Sequence, residues 1–429
     1  MSSKTKTTAT KAVGKPAFIP KLRFPEFREA GEWERKTLAT YLTDCSGRVP
    51  SDTKLPIYSS TRDGLKRQDK YFDGRTLHNN NEYGVVPPNG FVYRHMSDDG
   101  LFKFNINETG GEIAVSKEYP VFRTKNLNSY FLLAKLNEGF DFKQFAFSQK
   151  AGGTRTRLYF SRLCEWETLI PSPPEQKKIA ECLSSLQQLT AGQARKLEAL
   201  KAHKKGLMQL LFPREGESQP RLRFPEFQNA SEWKREKLSS CLIKVIDYRG
   251  KAPPKSKSGV PLITAKNVRF GWLDMTNDEY IEEKKYEEWM TRGIPLAGDV
   301  LFTTEAPLGN VALFPCAGKF ALGQRLLTLR SNPEKCLPEF LFHSLLSPSM
   351  QEDIDFHSTG STAKGIKSKV FVNLSFCYPK DIHEQKFIAD CLTKLDDLIA
   401  AQTQKLEALK THKKGLMQQF FPVPAEMEA

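Results

Sequence analysis

Apolar residues recur every three to four positions along two stretches of the chain, 175–212 and 384–421. In the first they fall at Ile179, Cys182, Leu183, Leu186, Leu189, Leu197, Leu200 and Leu207; in the second at Ile388, Cys391, Leu392, Leu395, Leu398, Leu406, Leu409 and Leu416. That spacing predicts two long helices with a narrow apolar stripe, the pattern of a coiled-coil seam. The stretches are one sequence written twice, with 25 of 38 ungapped positions identical. Ser172 and Asp381 are each followed three residues later by a glutamate, Glu175 and Glu384, which predicts a capping box at each start. Phe212-Pro213 and Phe421-Pro422 predict the ends, because proline cannot continue the ladder. Each helix would be on the order of 55 Å long. So long a helix with so narrow a stripe needs a partner, and the other copy is at hand. Gln193 and Gln402 interrupt the stripe near the middle of each helix. Facing each other across a seam, they would fix its register at some cost in stability; the alternative is that both are solvated.

The repeat extends beyond the helices. Pro20-Lys-Leu-Arg-Phe-Pro-Glu-Phe27 returns as Pro220-Arg-Leu-Arg-Phe-Pro-Glu-Phe227, and Glu32-Trp33 as Glu232-Trp233. The chain therefore reads as two tandem halves, each a short lead-in motif, a variable middle and a long helix. The middles mix short β-rich runs such as Gly84–Tyr93, Glu112–Val115, Val260–Thr264 and Asp299–Thr303 with Gly, Asn and Pro turns. Shorter helices are expected near Ser129–Leu136 and Pro338–Leu345. The fold class expected is α+β, with two globular domains and two long repeated helices forming an antiparallel coiled coil in a pseudo-twofold internal repeat. Expected boundaries are a basic disordered tail over 1–17, a first domain over 18–171, a long helix over 172–212, a linker over 213–219, a second domain over 220–380, a second long helix over 381–422 and a tail over 423–429.

Charge narrows the class of partner. The formal net charge of +14 favours an acidic partner, nucleic acid being the commonest. The eight cysteines are scattered with no metal spacing, which suits a reducing cytoplasm. The N-terminal stretch has no apolar segment of a secretory signal, and no apolar run approaches membrane-spanning length. A pseudo-dyad chain with two divergent domains suits a duplex with two different half-sites.

Catalytic patterns are missing from the sequence. It contains neither a G-x-x-x-x-G-K-[ST] nor a strand-borne G-x-G-x-x-G phosphate loop, and Val86-Pro87-Pro88-Asn89 is not the tetrapeptide of an adenine methyltransferase. Glu282-Glu283-Lys284 reads as a solvated charged face. His203 and His412, beside paired lysines near the helix ends, are explained by the helix dipole. What remains is basic residues in turn-rich loops. In the first middle these are Arg62, Lys66, Arg67, Arg94, Arg155 and Arg157; in the second they are Arg249, Lys251, Lys266, Arg269, Lys364, Lys367 and Lys369. Such loops bring amides and cations close to phosphates, and Arg and Lys also read guanine edges. Singly, each is better explained as a solvated surface residue; as loop clusters in both halves they carry more weight.

With the doubled E-Q-K-x-I-A helix start and the doubled K-L-E-A-L-K-x-H-K-K-G-L-M-Q run, the chain resembles the DNA-specificity subunits of type I restriction–modification systems, from about Pro20 to Pro422. Asp247-Tyr-Arg-Gly-Lys251, Gly298-Asp-Val-Leu301 and Gly323-Gln-Arg325 are similar to motifs of that family's target-recognition domains. The resemblance implies that each middle is a target-recognition domain binding one half of a bipartite, asymmetric DNA site, with the helices as an antiparallel spacer. It implies no catalytic activity and no bound cofactor in this chain, which would recruit two methyltransferase subunits and motor–nuclease subunits. S-adenosylmethionine, ATP and Mg2+ would belong to those partners, and the location would be cytoplasmic, with no membrane contact. Alternatives are a specificity subunit of a methylation-only or other phage-defence complex, a coiled-coil scaffold that binds no DNA, and a stand-alone enzyme.

Overall fold

The structure is a computed structural model that describes residues 18–71, 82–150, 154–248, 252–276, 279–314, 318–360 and 363–421. Its contacts divide the chain into two units, one of residues 1–194 with 405–429, the other of residues 195–404. Two helices of 39 residues, Pro173–Leu211 and Ile382–Phe420, each contribute to both units. The shorter expected helices run over Ser129–Glu138 and Pro338–Leu345.

The first unit is built on an antiparallel sheet in the order Leu42–Asp44, Val121–Thr124, Phe91–Tyr93, Phe104–Ile106. The second has the same order in Leu242–Asp247, Leu326–Ser331, Val300–Thr303, Val311–Leu313. The middle strands carry almost unbroken apolar residues because both faces are covered: Phe91, Val92 and Tyr93 in one unit and Val300, Leu301 and Phe302 in the other are buried. The little sequence shared between the two middles thus conceals one sheet order. The lead-in motifs run into equivalent strands, Glu34–Thr37 paired with Glu167–Ile170, and Lys234–Lys237 paired with Ser375–Tyr378.

The repeated residues explain themselves where the long helices begin. Glu175 does not fold back on its own helix start as a capping box would. It accepts from Arg23 Nε and Nη2 at 2.8 Å each and from the Trp33 indole at 3.3 Å. Glu384 does the same with Arg223 Nε and Nη2 at 2.7 Å each and with Trp233 at 3.1 Å. The glutamates are 1% exposed and the arginine side chains 7% and 12%. A desolvated carboxylate is costly unless its lone pairs are met, and the distant lead-in motif meets them. The adjacent glutamines complete the latch. Gln176 Oε1 accepts from Asn128 N–H, just before helix Ser129–Glu138, and its Nε2 donates to Pro171 O (both 2.9 Å). Gln385 takes Leu337 N–H at 2.8 Å, just before helix Pro338–Leu345, and donates to Pro379 O at 2.8 Å. Asp381 is the one expected cap that acts as such, accepting from His383 N–H at 2.8 Å.

In each unit the beginning of one long helix and the end of the other share a core. Ile179, Ala180 and Leu183 cluster with Met417, Phe420 and Phe421 around Trp33 and Phe131 in the first unit. Ile388 and Leu392 cluster with Met208, Leu211 and Phe212 around Trp233 and Phe340 in the second. The lead-in backbone ties on equivalently, Leu22 N–H to Gln419 O (3.0 Å) and Leu222 N–H to Leu210 O (2.9 Å). The stripe expected from the sequence is not buried throughout: Leu189 and Leu398, equivalent positions of the repeat, are 62% and 40% exposed.

One buried histidine gives the second unit a pH dependence. His343 is fully buried, with Nε2 and Thr393 Oγ1 3.0 Å apart. Desolvation first, and then the Lys204 ammonium, push its pKa down to about 3; Lys204 itself is ion-paired with Asp396. The imidazole therefore stays neutral in the folded chain while the unfolded chain takes up a proton below about pH 6.5. Its contribution is complete above that pH and is lost as pH falls toward about 3, at up to about 1.4 kcal/mol per pH unit. Urea unfolding at pH 7 and pH 5 should show a steeper loss for the wild type than for His343→Gln; equal losses would refute this assignment.

Candidate nucleic-acid interface

The central strand of each unit runs past the sheet into the same short ribbon. In the first unit, Phe91–Tyr93 continues through Arg94 and His95 to Met96–Ser97, which pairs antiparallel with Thr156–Arg157. Leu158 N–H closes the ribbon on His95 O at 2.8 Å. In the second, Val300–Thr303 continues through Thr304 to Glu305, which pairs antiparallel with Gly365, and Ile366 N–H closes on Thr304 O at 3.0 Å. Two of the basic loops expected from the sequence, Arg155–Arg157 and Lys364–Lys369, thus occupy equivalent places on equivalent sheets.

The first ribbon is lined with arginines. Arg94, Arg155 and Arg157 are exposed along it. Arg155 Nε donates to Asp98 Oδ1 at 2.8 Å, and Arg62 Nη2 donates to Asp99 Oδ1 at 2.6 Å. The Arg62 guanidinium, with Ser97 Oγ–H and Leu101 N–H, holds the Asp99 carboxyl down at about 2. Arg62 reaches the ribbon from the tip of a hairpin formed by Tyr58–Thr61 and Gly64–Arg67. Between Arg94 and Met96, His95 is buried, with the half-exposed Tyr159 ring stacked on it at 5.7 Å. Lys66 and Arg67 pair with Ser59 and Tyr58 at the base of the hairpin, away from its tip, and Arg67 is ion-paired with Asp69 at 2.9 Å. Of the six basic residues expected in this half, the structure therefore gathers Arg62, Arg94, Arg155 and Arg157.

The second ribbon carries different chemistry. Lys364 donates to both oxygens of Asp355 at 2.6 and 2.7 Å. Lys367 stands exposed before the short helix Ser368–Phe371, and Lys369 is exposed within it. Arg325 completes the group: its carbonyl accepts Thr304 N–H at 3.1 Å and its Nε lies 2.9 Å from Glu305 Oε1. Arg325 and Ala306 hold φ of +63° and +46°, a region that non-glycine residues occupy only when the surroundings force it, often at functional sites. Lys266 and Arg269 belong to a second hairpin, Val268–Arg269 with Trp272–Leu273. Asn310, next to the central strand, donates from Nδ2 to Val268 O at 2.9 Å and fastens that hairpin to the same end of the sheet. Lys266 Nζ donates to Glu279 at 3.3 Å, and Arg269 to Asp274 at 3.1 Å. Arg249 and Lys251 lie outside the described residues. Gln193 and Gln402 are half-buried in their long helices.

The site residues that sequence patterning does not single out are His95, Tyr159 and Arg325. Arg325 stands in one of the family-like motifs, but its left-handed backbone has no signal in residue type. Among the described residues, no cluster of His, Cys, Asp or Glu could hold a metal ion, and no helix is long and apolar enough to cross a membrane. An exposed cationic ribbon with aromatic neighbours is suited to phosphate and base-edge contact.

A family model described as the type I restriction modification DNA specificity domain matches residues 86–202 and 249–411. The chain is 29% identical over 197 residues to a putative type I restriction enzyme MjaX specificity subunit of Methanocaldococcus jannaschii, covering 44% of this chain and 45% of that one. It is 26% identical over 270 residues to the MjaVIII specificity subunit of the same organism, covering 58% and 60%. The matches thus span about half the length of these curated relatives. Among solved structures it is similar in fold to a type I restriction-modification S subunit from M. genitalium, with a TM-score of 0.62 at 15% identity over 94% of this chain and 99% of that one. A chain from a type I R-M system solved for its complex assembly gives a TM-score of 0.50 at 16% identity, covering 91% and 97%. With two matched regions that together cover well over half of its residues, each holding much of one middle and part of a long helix, this chain belongs to the type I restriction modification DNA specificity family.

Proposed function

We propose that this chain is the DNA-reading subunit of a type I restriction–modification complex, each unit recognising one half of a bipartite, asymmetric site. One observation carries the reading: both units build the same ribbon at the same end of the same sheet and furnish it differently, with Arg94, Arg155 and Arg157 in one and Glu305, Arg325, Lys364 and Lys367 in the other. A common scaffold with unlike reading surfaces suits two unlike half-sites.

In this reading the long helices pair antiparallel and set the gap. The shared cores support it, since each joins the start of one helix to the end of the other. The chain itself is non-catalytic. Two methyltransferase subunits bring S-adenosylmethionine, and motor–nuclease subunits bring ATP and Mg2+. The exposed Leu189 and Leu398 support two docking places for one kind of partner, because they are equivalent positions of the repeat.

Duplex binding across a salt series tests the reading. Phosphate contacts release counterions, so affinity should fall steeply with salt. Arg155→Ala with Arg157→Ala should shallow the slope by about 1 for each phosphate no longer engaged, or cost about 1–3 kcal/mol where the side chain reads a base. A salt-independent or undetectable affinity would favour a scaffold that binds no DNA. Register has its own test: Gln193→Leu with Gln402→Leu should leave the chain folded and broaden the tolerated gap between half-sites, and a gap that stays sharp would contradict a register role.

A further inference from the structure

The hairpin of the second unit holds two large aromatic rings out in solvent. Phe270 lies in its turn beside Gly271, Trp272 is the first residue after the turn, and they are 56% and 57% exposed. Rings of that size are normally withdrawn from water. Here the backbone keeps them out. Gly271 takes φ +94°, which a side chain rarely adopts, and its N–H donates to Val311 O at 2.9 Å. Asn310 grips Val268 O from the same strand end, and at the hairpin base Asp274 N–H donates to Asn267 O at 2.7 Å while Asn267 Nδ2 donates to Asp274 O at 3.0 Å. The hairpin is therefore anchored at both its turn and its base.

The first unit has the same device with another tip. There Asn105 Nδ2 donates to Ser60 Oγ at 2.8 Å and to Thr61 O at 3.1 Å, and the residues at the turn are Arg62 and Asp63. One hairpin ends in charge, the other in two aromatic rings.

Building on the DNA reading above, we propose that Phe270 and Trp272 are specificity-determining residues that enter the major groove of one half-site and pack against thymine methyl groups. Charge argues for DNA as the occupant rather than an apolar protein surface. Trp272 stands cross-strand from Arg269, on one face of the ribbon, and the neighbouring Lys266 is highly exposed. A two-stranded ribbon fits the major groove, where the thymine methyl is the one apolar feature of the base edges.

The test begins by selecting bound duplexes from a random-sequence pool with the full chain. It then measures affinity for the selected duplex, and for the same duplex with deoxyuridine replacing thymine in one half-site at a time. The wild type should lose roughly three- to tenfold on deoxyuridine replacement in one half only. Phe270→Ala with Trp272→Ala should bind the thymine duplex roughly ten- to a hundredfold more weakly and be indifferent to the replacement. Because the replacement is made in the DNA, it stays informative if the variant folds poorly. A wild type indifferent to deoxyuridine, or a half-site made only of G·C pairs, overturns the inference and leaves the DNA reading standing; an unchanged motif and affinity in the variant does the same and points to a protein surface for the rings. Failure of the wild type to select any sequence overturns both.

Discussion

Glu384→Ala should lower the stability of the second unit by about 3–5 kcal/mol, the cost of leaving one member of a buried ion pair without its partner. The carboxylate is 1% exposed and meets Arg223 with both oxygens and Trp233 with one. Its removal strands a guanidinium whose remaining hydrogen bonds are to the backbone carbonyls of Ala230 and Ser231, and it takes the acceptor from a buried indole N–H. For a unit of this size the thermal midpoint should fall on the order of 10 °C. Replacing both charges, Arg223→Met with Glu384→Leu, should recover most of the loss, leaving about 1–3 kcal/mol for the Trp233 N–H. Calorimetry on the single and double variants decides it. A single-variant loss below about 1 kcal/mol would mean that water reaches the pair and that the latch between lead-in motif and helix is weak.

Exchanging residues 45–170 for the equivalent segment of another family member should change one half-site and leave the other half and the gap unaltered. The segment contains Arg62, Arg94, Arg155 and Arg157 together with their acidic partners Asp98 and Asp99, while the latch residues of the second unit lie outside it. Each mismatched base pair costs about 1–3 kcal/mol, so a half-site altered at three positions should weaken binding to the original duplex by roughly a hundredfold or more. Sequencing of duplexes bound by the chimaera reads the outcome, and a change in both halves would contradict independent reading.

The parts of this molecule that are legible in its sequence are those set by local periodicity. The two long helices, the helices at Ser129 and Pro338 and the duplication all follow from spacing within a few turns. Glu175 misleads because its local context, three residues after Ser172, is that of a capping box, whereas its actual partners are 152 and 142 residues away. The period likewise puts Leu189 and Leu398 in the seam. A period reports which face a residue shares; it does not report how much of that face is covered. The candidate interface is half legible for the same reason. Arg62, Lys66 and Arg67 are neighbours in sequence, but a tight hairpin sends the first to the ribbon and leaves the other two at its base. Arg62 and Arg155 are far apart in sequence and meet through Asp98 and Asp99. Such meetings are made by sheet order, which single-chain patterning does not encode.

In the proposed reading this chain supplies the sequence specificity of a methylation complex. The most direct measurement is a genome-wide map of methylated adenine in a host carrying the chain with its methyltransferase, compared with a host lacking only this chain. The host lacking the chain should lose one bipartite motif, two unlike half-sites separated by a fixed gap. An unchanged map would contradict that reading.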